Sequence, residues 1–241
     1  MNIKYSKKNI LCTICARGSS KGIVNKALKK IKGVPLIGIT IKQAIKSNVF
    51  DEIVVSTDSE KIRKVAVKFG ARSWFLRPKK LSTDNTPKIP AIRHTLKMSE
   101  IFFKKKYDIC MDLDVTSPLR NIKDIKDSLN LFVKKKKLDN LFSVSKSRRN
   151  PYFNMVEVKN SKVNYVKKHT TQISSRQKAP QVYDLNASIY IWKRSFLLKS
   201  NKLVSKKTGI FVMPESRSID IDHKLDLEIV RNLFKEKYKY V

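Results

Sequence analysis

Residues 16–27 have the composition of an anion-binding loop. The segment, ARGSSKGIVNKA, follows the apolar run ILCTIC and combines two glycines and two serines with Arg17, Lys21 and Lys26. Small residues let backbone N–H groups approach a phosphate, and a guanidinium and two ammonium groups add positive charge. The loop matches neither G-x-G-x-x-G nor G-x-x-x-x-G-K-[ST]. Because a basic surface turn has a similar composition, the loop alone leaves a structural and a phosphate-binding interpretation open.

Two pairs of aspartates, each with one residue between its members, lie near predicted strand ends. Asp112 and Asp114 belong to CMDLDVTSPLR. Asp220 and Asp222 belong to RSIDIDHKLDLE. On a strand over 217–222, the side chains of the second pair would lie on the same face, an arrangement that suits a hard cation such as Mg2+. Structural roles stay open, because Asp222 also lies where the N-cap of the last helix is expected and Asp112 could face a neighbouring helix.

An alternation of strands and helices positions these residues. The apolar run at 9–16 predicts a strand that is buried on both faces of a parallel sheet. Further strands are predicted, with helices between them, at 51–58, 71–76, 107–115 and 139–147. This order predicts a doubly wound, mostly parallel α/β sheet that binds ligands at the carboxyl ends of its strands. The loop FLRPKKLSTDNT brings Arg77 and Asp84 to the same edge.

The alternation stops between residues 148 and 185. Two extended segments around KNSK predict a β-hairpin, and a long polar stretch follows it. Strand-like segments return at 186–194 and 209–215, before a closing helix from about 223 to 238. We therefore interpret 1–241 as a single domain, in which 148–185 is an inserted segment that acts as a dimerisation arm or a substrate lid.

The strong positive charge raises a second functional class. The chain has 53 lysines and arginines against 20 aspartates and glutamates, a formal net charge of +33. Such a charge favours phosphate backbones, so a basic nucleic-acid-binding protein is an alternative. The lysines are nevertheless spread along the chain, and the runs FFKKKY and FVKKKKL close predicted helices, where cations interact favourably with the helix dipole. Nucleic acid is therefore not the expected partner.

Cysteine content and apolar segments predict a cytoplasmic protein without a zinc site. Three cysteines give no disulfide framework, and Cys12 and Cys15 would point to opposite faces of one strand. No apolar run approaches the roughly 18–20 residues that cross a bilayer. The basic N-terminus, MNIKYSKKN, leads directly into a predicted strand and not into an apolar signal segment.

Six segments together carry a resemblance to a known family. They are ICARGSSKGIVNKAL, IVVSTDS, FLRPKKLSTDNT, DVTSPLR, NASIYI and SIDIDHKLDLE. Their order and spacing resemble the acylneuraminate cytidylyltransferases, which make CMP-activated nine-carbon sugar acids, over nearly the whole chain. Within that family, NPYFNMVE and SSRQKAPQVYDLNASIYIWKR are more similar to the branch that acts on legionaminic-type sugars than to the N-acetylneuraminate branch.

The resemblance implies a reaction, a fold and an assembly. The reaction is CTP + nonulosonate → CMP-nonulosonate + pyrophosphate, in which the anomeric hydroxyl attacks the α-phosphorus. The implied fold is a Rossmann-like nucleotidyltransferase domain, and the implied assembly is a homodimer whose inserted hairpin reaches toward the partner's site. A sister enzyme for pseudaminic or Kdo-type acids is the enzymatic alternative.

The resemblance also assigns roles to individual residues. It implies that Arg17, Lys21 and Lys26 are catalytic and that Asp220 and Asp222 bind Mg2+. The implied CTP-binding residues are Ala16, Arg17, Gly18, Ser19, Ser20, Lys26, Arg77, Asp84, Asp114 and Ser117. The implied sugar-binding residues are Arg176, Gln177, Tyr183 and Asn186.

Two positions depart from the family pattern. Ala27 stands where the family usually has asparagine, so one polar contact with the nucleotide is lost or is supplied elsewhere. Asp114 and Val115 stand where the neuraminate branch typically has Gln-Pro, and an aspartate cannot donate a hydrogen bond as glutamine does. These departures keep an inactive homologue among the alternatives.

Overall fold

The computed structural model describes residues 8–19, 22–168, 173 and 175–237, without the side chains of 176 and 235–237. In this part of the chain the strands are β1 (Ile10–Cys15), β2 (Lys30–Ile31), β3 (Val34–Pro35), β4 (Glu52–Ser56), β5 (Ile109–Leu113), β6 (Asn140–Lys146), β7 (Val156–Lys159), β8 (Lys162–Tyr165), β9 (Tyr183–Lys193) and β10 (Thr208–Val212). The α-helices are α1 (Leu36–Ser47), α2 (Glu60–Lys68), α3 (Lys88–Phe102), α4 (Ile122–Lys134), α5 (Arg194–Lys199) and α6 (Lys224–Lys237).

Six strands form the central sheet, in the order β10-β6-β9-β5-β1-β4. Strand β1 pairs in parallel with β4 and β5, and β6 pairs in parallel with β10. Strand β9 is antiparallel to both of its neighbours, β5 and β6. The predicted mostly parallel α/β sheet is therefore confirmed.

Apolar side chains of β1 and β5 alternate between two hydrophobic cores. Cys12, Ile14 and Met111 belong to one core, together with residues of α1, α4 and α6. Leu11 and Cys110 belong to the other core, together with residues of α3 and α5. Burial on both faces explains why β1 is apolar except for Thr13 and why β5 is apolar except for Asp112. The candidate site forms at the carboxyl ends of these strands.

Two segments that were predicted to be strands are not strands. Residues 71–76 contribute only one bridge, between Val54 and Arg72, because Trp74 leaves the sheet and packs its ring against Phe102 and Phe103. Residues 217–222 begin at the end of a short 3-10 helix, Glu215–Arg217, and continue as a loop. Arg217 anchors this loop through an ion pair with Asp124 on α4, at 2.7 Å between Nη2 and Oδ1.

The hairpin that was predicted around KNSK is present as β7 and β8. Asn160 and Ser161 form its turn with φ angles of 50° and 61°, the left-handed values of a type I′ turn. The register pairs Val156 with Tyr165 and Val158 with Val163, so that these four side chains share one face. All four are exposed.

Candidate active site

A cavity of about 250 Å³ opens at the carboxyl ends of β1 and β5. Because these strands are adjacent and parallel, the residues that follow Cys15 and Leu113 meet at one edge of the sheet. Six residues that the sequence analysis selected for nucleotide binding line this cavity: Ala16, Arg17, Lys26, Arg77, Asp84 and Asp114. Segments that are far apart in the chain therefore converge on one cationic cavity.

Carboxylates lie against the anion-binding groups of the first loop. Arg17 Nη1 is 2.7 Å from Asp84 Oδ1. The backbone N–H of Gly18 donates to Asp58 Oδ1 over 2.8 Å, and Asp58 Oδ1 is also 3.9 Å from Arg77 Nη2. Asp58 was not among the residues selected from the sequence, although its position in IVVSTDS, two residues after the end of β4, is the signal that would have indicated it. The loop thus binds negatively charged oxygens through both side chains and backbone.

Lys26 joins the first loop to the loop that carries the second aspartate pair. Its Nζ donates to the Ile221 carbonyl over 2.6 Å and to Asp222 Oδ1 over 2.9 Å. Gly22 lies against the same loop, since a Cβ atom at that position would be 2.2 Å from the Asp222 carbonyl oxygen. A side chain at position 22 would therefore push the two loops apart.

Asp220 and Asp222 differ in environment and do not lie on a strand as expected. Asp222 is exposed, its carboxylate pairs with Lys26, and it lies two positions before the first residue of α6. Asp220 is partly buried, and its Oδ1 has no hydrogen-bond partner. Burial, followed by the charge of Asp114, raises the pKa of Asp220 to about 6. A carboxylate oxygen without a partner beside a second carboxylate fits the donor set that Mg2+ prefers, in which one or two carboxylates are completed by phosphate and water oxygens.

Lys88 is a cavity residue that the sequence analysis missed. It is the first residue of α3, and its Nζ lies 2.6 Å from Asp112 Oδ2 and 2.5 Å from Asp114 Oδ2. Burial disfavours the charge of Lys88, but the two carboxylates outweigh burial and raise its pKa well above the usual value. The available signal was a lysine at a helix N-terminus, where a cation opposes the helix dipole unless an anion lies close by.

The two departures from the family pattern have different surroundings. Ala27 is buried, belongs to the first core and lines the cavity. Asp114 Oδ1 accepts hydrogen bonds from the backbone N–H and the Oγ1 of Thr116, at 3.1 and 2.9 Å. Asp114 therefore shapes the turn at the end of β5 as well as pairing with Lys88.

The remaining selected residues lie outside the cavity lining or outside the described residues. Ser117 and Asn186 are buried, and Ser117 Oγ donates to the Asn186 carbonyl over 3.1 Å. The Asn186 amide is hydrogen bonded to Ser143 and Ser218. Ser19, Gln177 and Tyr183 are exposed. Ser20, Lys21 and the side chain of Arg176 lie outside the described part of the chain.

The fold and the cavity, in which cations and paired carboxylates meet, are typical of a class of protein: α/β enzymes that bind nucleotides at the carboxyl ends of their strands. Comparison with known proteins gives the family. The chain belongs to the cytidylyltransferase family, whose sequence model matches residues 11–240. It is thus a CTP-dependent nucleotidyltransferase, as the resemblance implied.

Curated relatives are similar to this chain over nearly its full length. The chain is 46% identical to the post-translational flagellin modification protein B of Campylobacter coli, with 95% of this chain and 96% of the relative covered. It is 47% identical to the CMP-N,N'-diacetyllegionaminic acid synthase of Campylobacter jejuni, with the same coverage. A solved CMP:2-keto-3-deoxy-manno-octonic acid synthetase in complex with CTP has a TM-score of 0.70 at 17% identity, covering 94% of this chain and 98% of that one, and so supports the fold alone.

Membership of an enzyme family disfavours the alternative of a basic nucleic-acid-binding protein. Among the helices that the structure describes, none is both long and apolar enough to cross a membrane.

Proposed function

We propose that this protein activates a legionaminic-type nine-carbon sugar acid with CTP, giving the CMP-sugar and pyrophosphate, and that it does so in the cytoplasm. The observation that carries the substrate class is the 47% identity to a CMP-N,N'-diacetyllegionaminic acid synthase over 95% of this chain. Pseudaminic acid cytidylyltransferases of Campylobacter jejuni are also related, at 30% identity. The lower identity makes a pseudaminic-type acid the second candidate.

The cations of the cavity would bind and polarise the triphosphate. Attack on the α-phosphorus requires alignment of the reactants and neutralisation of charge, and little covalent help from the protein. Arg17 would give up its contact with Asp84 and bind a phosphate oxygen. The Gly18 N–H would likewise donate to a phosphate oxygen in place of Asp58. Lys26 and Arg77, with Lys21, Ser19 and Ser20 of the same loop, would complete the phosphate site. Asp84 would accept hydrogen bonds from the ribose.

The second aspartate pair would hold Mg2+. Asp220 offers a carboxylate oxygen without a partner, and Asp222 offers an exposed carboxylate that Lys26 keeps in place. When bound, Mg2+ supplies positive charge that neutralises phosphate oxygens and lowers the pKa of the attacking hydroxyl. Lys26 would contact the triphosphate from the same position, because it already lines the cavity.

The sugar acid would bind on the side of the inserted segment. A guanidinium suits the sugar's carboxylate, so Arg176 is the proposed partner of that group, with Gln177 and Tyr183 beside it. Asn186 is buried, and through its contact with Ser117 it would support the turn after β5.

Pyrophosphate release tests the reaction and the sugar class together. The wild-type protein is assayed with CTP, Mg2+ and, in separate reactions, legionaminic, pseudaminic, neuraminic and Kdo-type acids. We expect turnover to need all three components and to have its highest kcat/KM with the legionaminic-type acid. Reactions with UTP or without a sugar acid are the controls. The highest kcat/KM with Kdo would contradict the substrate class, and no turnover with any acid would support an inactive homologue.

We further propose that the protein is a homodimer in which the β7–β8 hairpin is the arm. Val156, Val158, Val163 and Tyr165 form an apolar face that is 57–71% exposed. An isolated two-stranded hairpin is only marginally stable in water, so a partner that covers its apolar face would stabilise it. The opposite face is polar, with Glu157 paired to Asn164 and Lys159 paired to Lys162.

A charge on the apolar face of the hairpin should weaken the dimer. In Val163→Lys, association would bury an unpaired ammonium, so we expect the variant to sediment as a monomer at concentrations where the wild-type protein is a dimer. Asn164→Lys adds the same charge to the opposite face and is expected to remain dimeric. Analytical ultracentrifugation distinguishes the two. A dimeric Val163→Lys variant, or a monomeric wild-type protein, would contradict the proposed arm.

A further inference from the structure

Lys88 lies at the start of a chain of contacts that follows the wall of the cavity. Its ammonium pairs with Asp114 Oδ2, and Asp114 Oδ1 accepts from Thr116. The Thr116 carbonyl accepts from the Ile221 N–H over 2.9 Å, and the Ile221 carbonyl accepts from Lys26. Lys88 and Lys26 are therefore connected through the turn after β5 and the loop of the second aspartate pair.

The carboxylates beside Lys88 create an electrostatic problem for an enzyme with anionic substrates. Asp112 is fully buried, and its second oxygen, Oδ1, accepts from Thr13 Oγ1 over 2.8 Å. Asp114 lines the cavity itself. Without a cation, two adjacent carboxylates would repel a triphosphate and would compete for one proton. Lys88 supplies that cation, and its Nζ also lies 5.0 Å from the centre of the Tyr190 ring.

We propose that Lys88 is a positioning residue that acts through Asp112 and Asp114: it holds the carboxylate pair in place and makes the wall of the cavity compatible with CTP. The inference rests on the proposed use of this cavity for CTP, but it does not depend on which sugar acid is activated. Lys88 Nζ donates to Asp114 Oδ2 and lies 2.6 Å from Asp112 Oδ2, so one ammonium group offsets the charge of both carboxylates. Its position at the start of α3 is explained by those carboxylates, because a lone cation there would be unfavourable.

A double-variant cycle measured by calorimetric CTP binding tests this role. At pH 8.5 in the presence of Mg2+, Lys88→Met is expected to bind CTP about 10- to 100-fold more weakly than the wild-type protein, the size of coupling seen between groups in direct contact. Adding Asp114→Asn removes one of the two charges and keeps an acceptor oxygen for Thr116, so the double variant should recover most of the loss. Lys123→Met, a change at an exposed position in the first turn of α4, is the matched control and should bind CTP normally.

A second measurement at pH 6.5 separates charge from packing. The titratable and charged groups around the Asp112–Asp114 pair are Lys88, Arg120, Tyr190, Asp220 and the thiols of Cys12, Cys15 and Cys110. Without Lys88, the pair is expected to share one proton at the lower pH, so the loss of CTP affinity in Lys88→Met should be smaller there. Equal affinity of Lys88→Met and the wild-type protein at pH 8.5 would overturn the proposal, and so would a double variant as weak as Lys88→Met. If the wild-type protein binds CTP but transfers no CMP group to any sugar acid, the proposed function would be contradicted and this test would remain valid.

Discussion

Replacing Asp220 with asparagine is expected to lower kcat by about two to three orders of magnitude, the usual effect of removing one group that stabilises charge in the transition state. The substitution keeps the shape of the side chain and removes the charge that we propose holds Mg2+. Burial of a carboxylate oxygen without a partner costs stability, and the neutral amide reduces that cost. The melting temperature of the variant should therefore be no lower than that of the wild-type protein.

Pyrophosphate release across a range of Mg2+ concentrations and thermal unfolding are the measurements. Asp127→Asn, at an exposed aspartate paired with Lys123 on α4, is the matched control and should leave kcat unchanged. A kcat within threefold of wild type, with the same dependence on Mg2+, would show that Asp220 is not a metal ligand. An unfolded variant would show instead that the carboxylate is needed for the fold.

Replacing Arg120 with methionine is expected to lower the free energy of unfolding by about 3–5 kcal/mol, because buried polar groups would lose their partner. Arg120 is fully buried. Its Nη1 donates to the Ser188 carbonyl over 2.7 Å, and its Nη2 donates to Gln43 Oε1 over 3.1 Å. The guanidinium also lies 3.3 Å from the Asp114 carbonyl, so it connects α1 and β9 to the turn after β5.

Urea unfolding at neutral pH measures this loss. Arg72→Met is the control, since Arg72 is mostly exposed and its Nε lies 3.8 Å from Glu52 Oε2, and exposed pairs contribute about 1 kcal/mol or less. A loss below about 1 kcal/mol in Arg120→Met would mean that the acceptors find other partners. Arg120 of the motif DVTSPLR would then have a role other than stabilising the fold.

The central sheet could be predicted from the sequence because burial on both faces leaves a local mark. ILCTIC is apolar except for Thr13, and the run Ile109–Leu113 is apolar except for Asp112; short runs of this kind between turn residues are typical of strands that are buried on both faces. The hairpin at Asn160 could also be predicted from local sequence, because its turn and both of its strands lie within ten residues. Residues 71–76 were mispredicted because contacts of Trp74 with α3, which depend on the tertiary structure, take that segment out of the sheet.

The candidate site divides in the same way. Residue types and their order along the chain were enough to indicate the cationic loop, the two aspartate pairs and a ligand site at the strand ends, and the resemblance to a known family indicated a nucleotide as the ligand. Only the tertiary structure decided which groups of the site contact each other. Lys26 contacts a carboxylate 196 positions away in the chain, Gly18 contacts Asp58, which is 40 positions away, and Lys88 contacts Asp114, which is 26 positions away. A single sequence carries no record of these pairings, because they depend on where parallel strands end in space and not on the residues next to them.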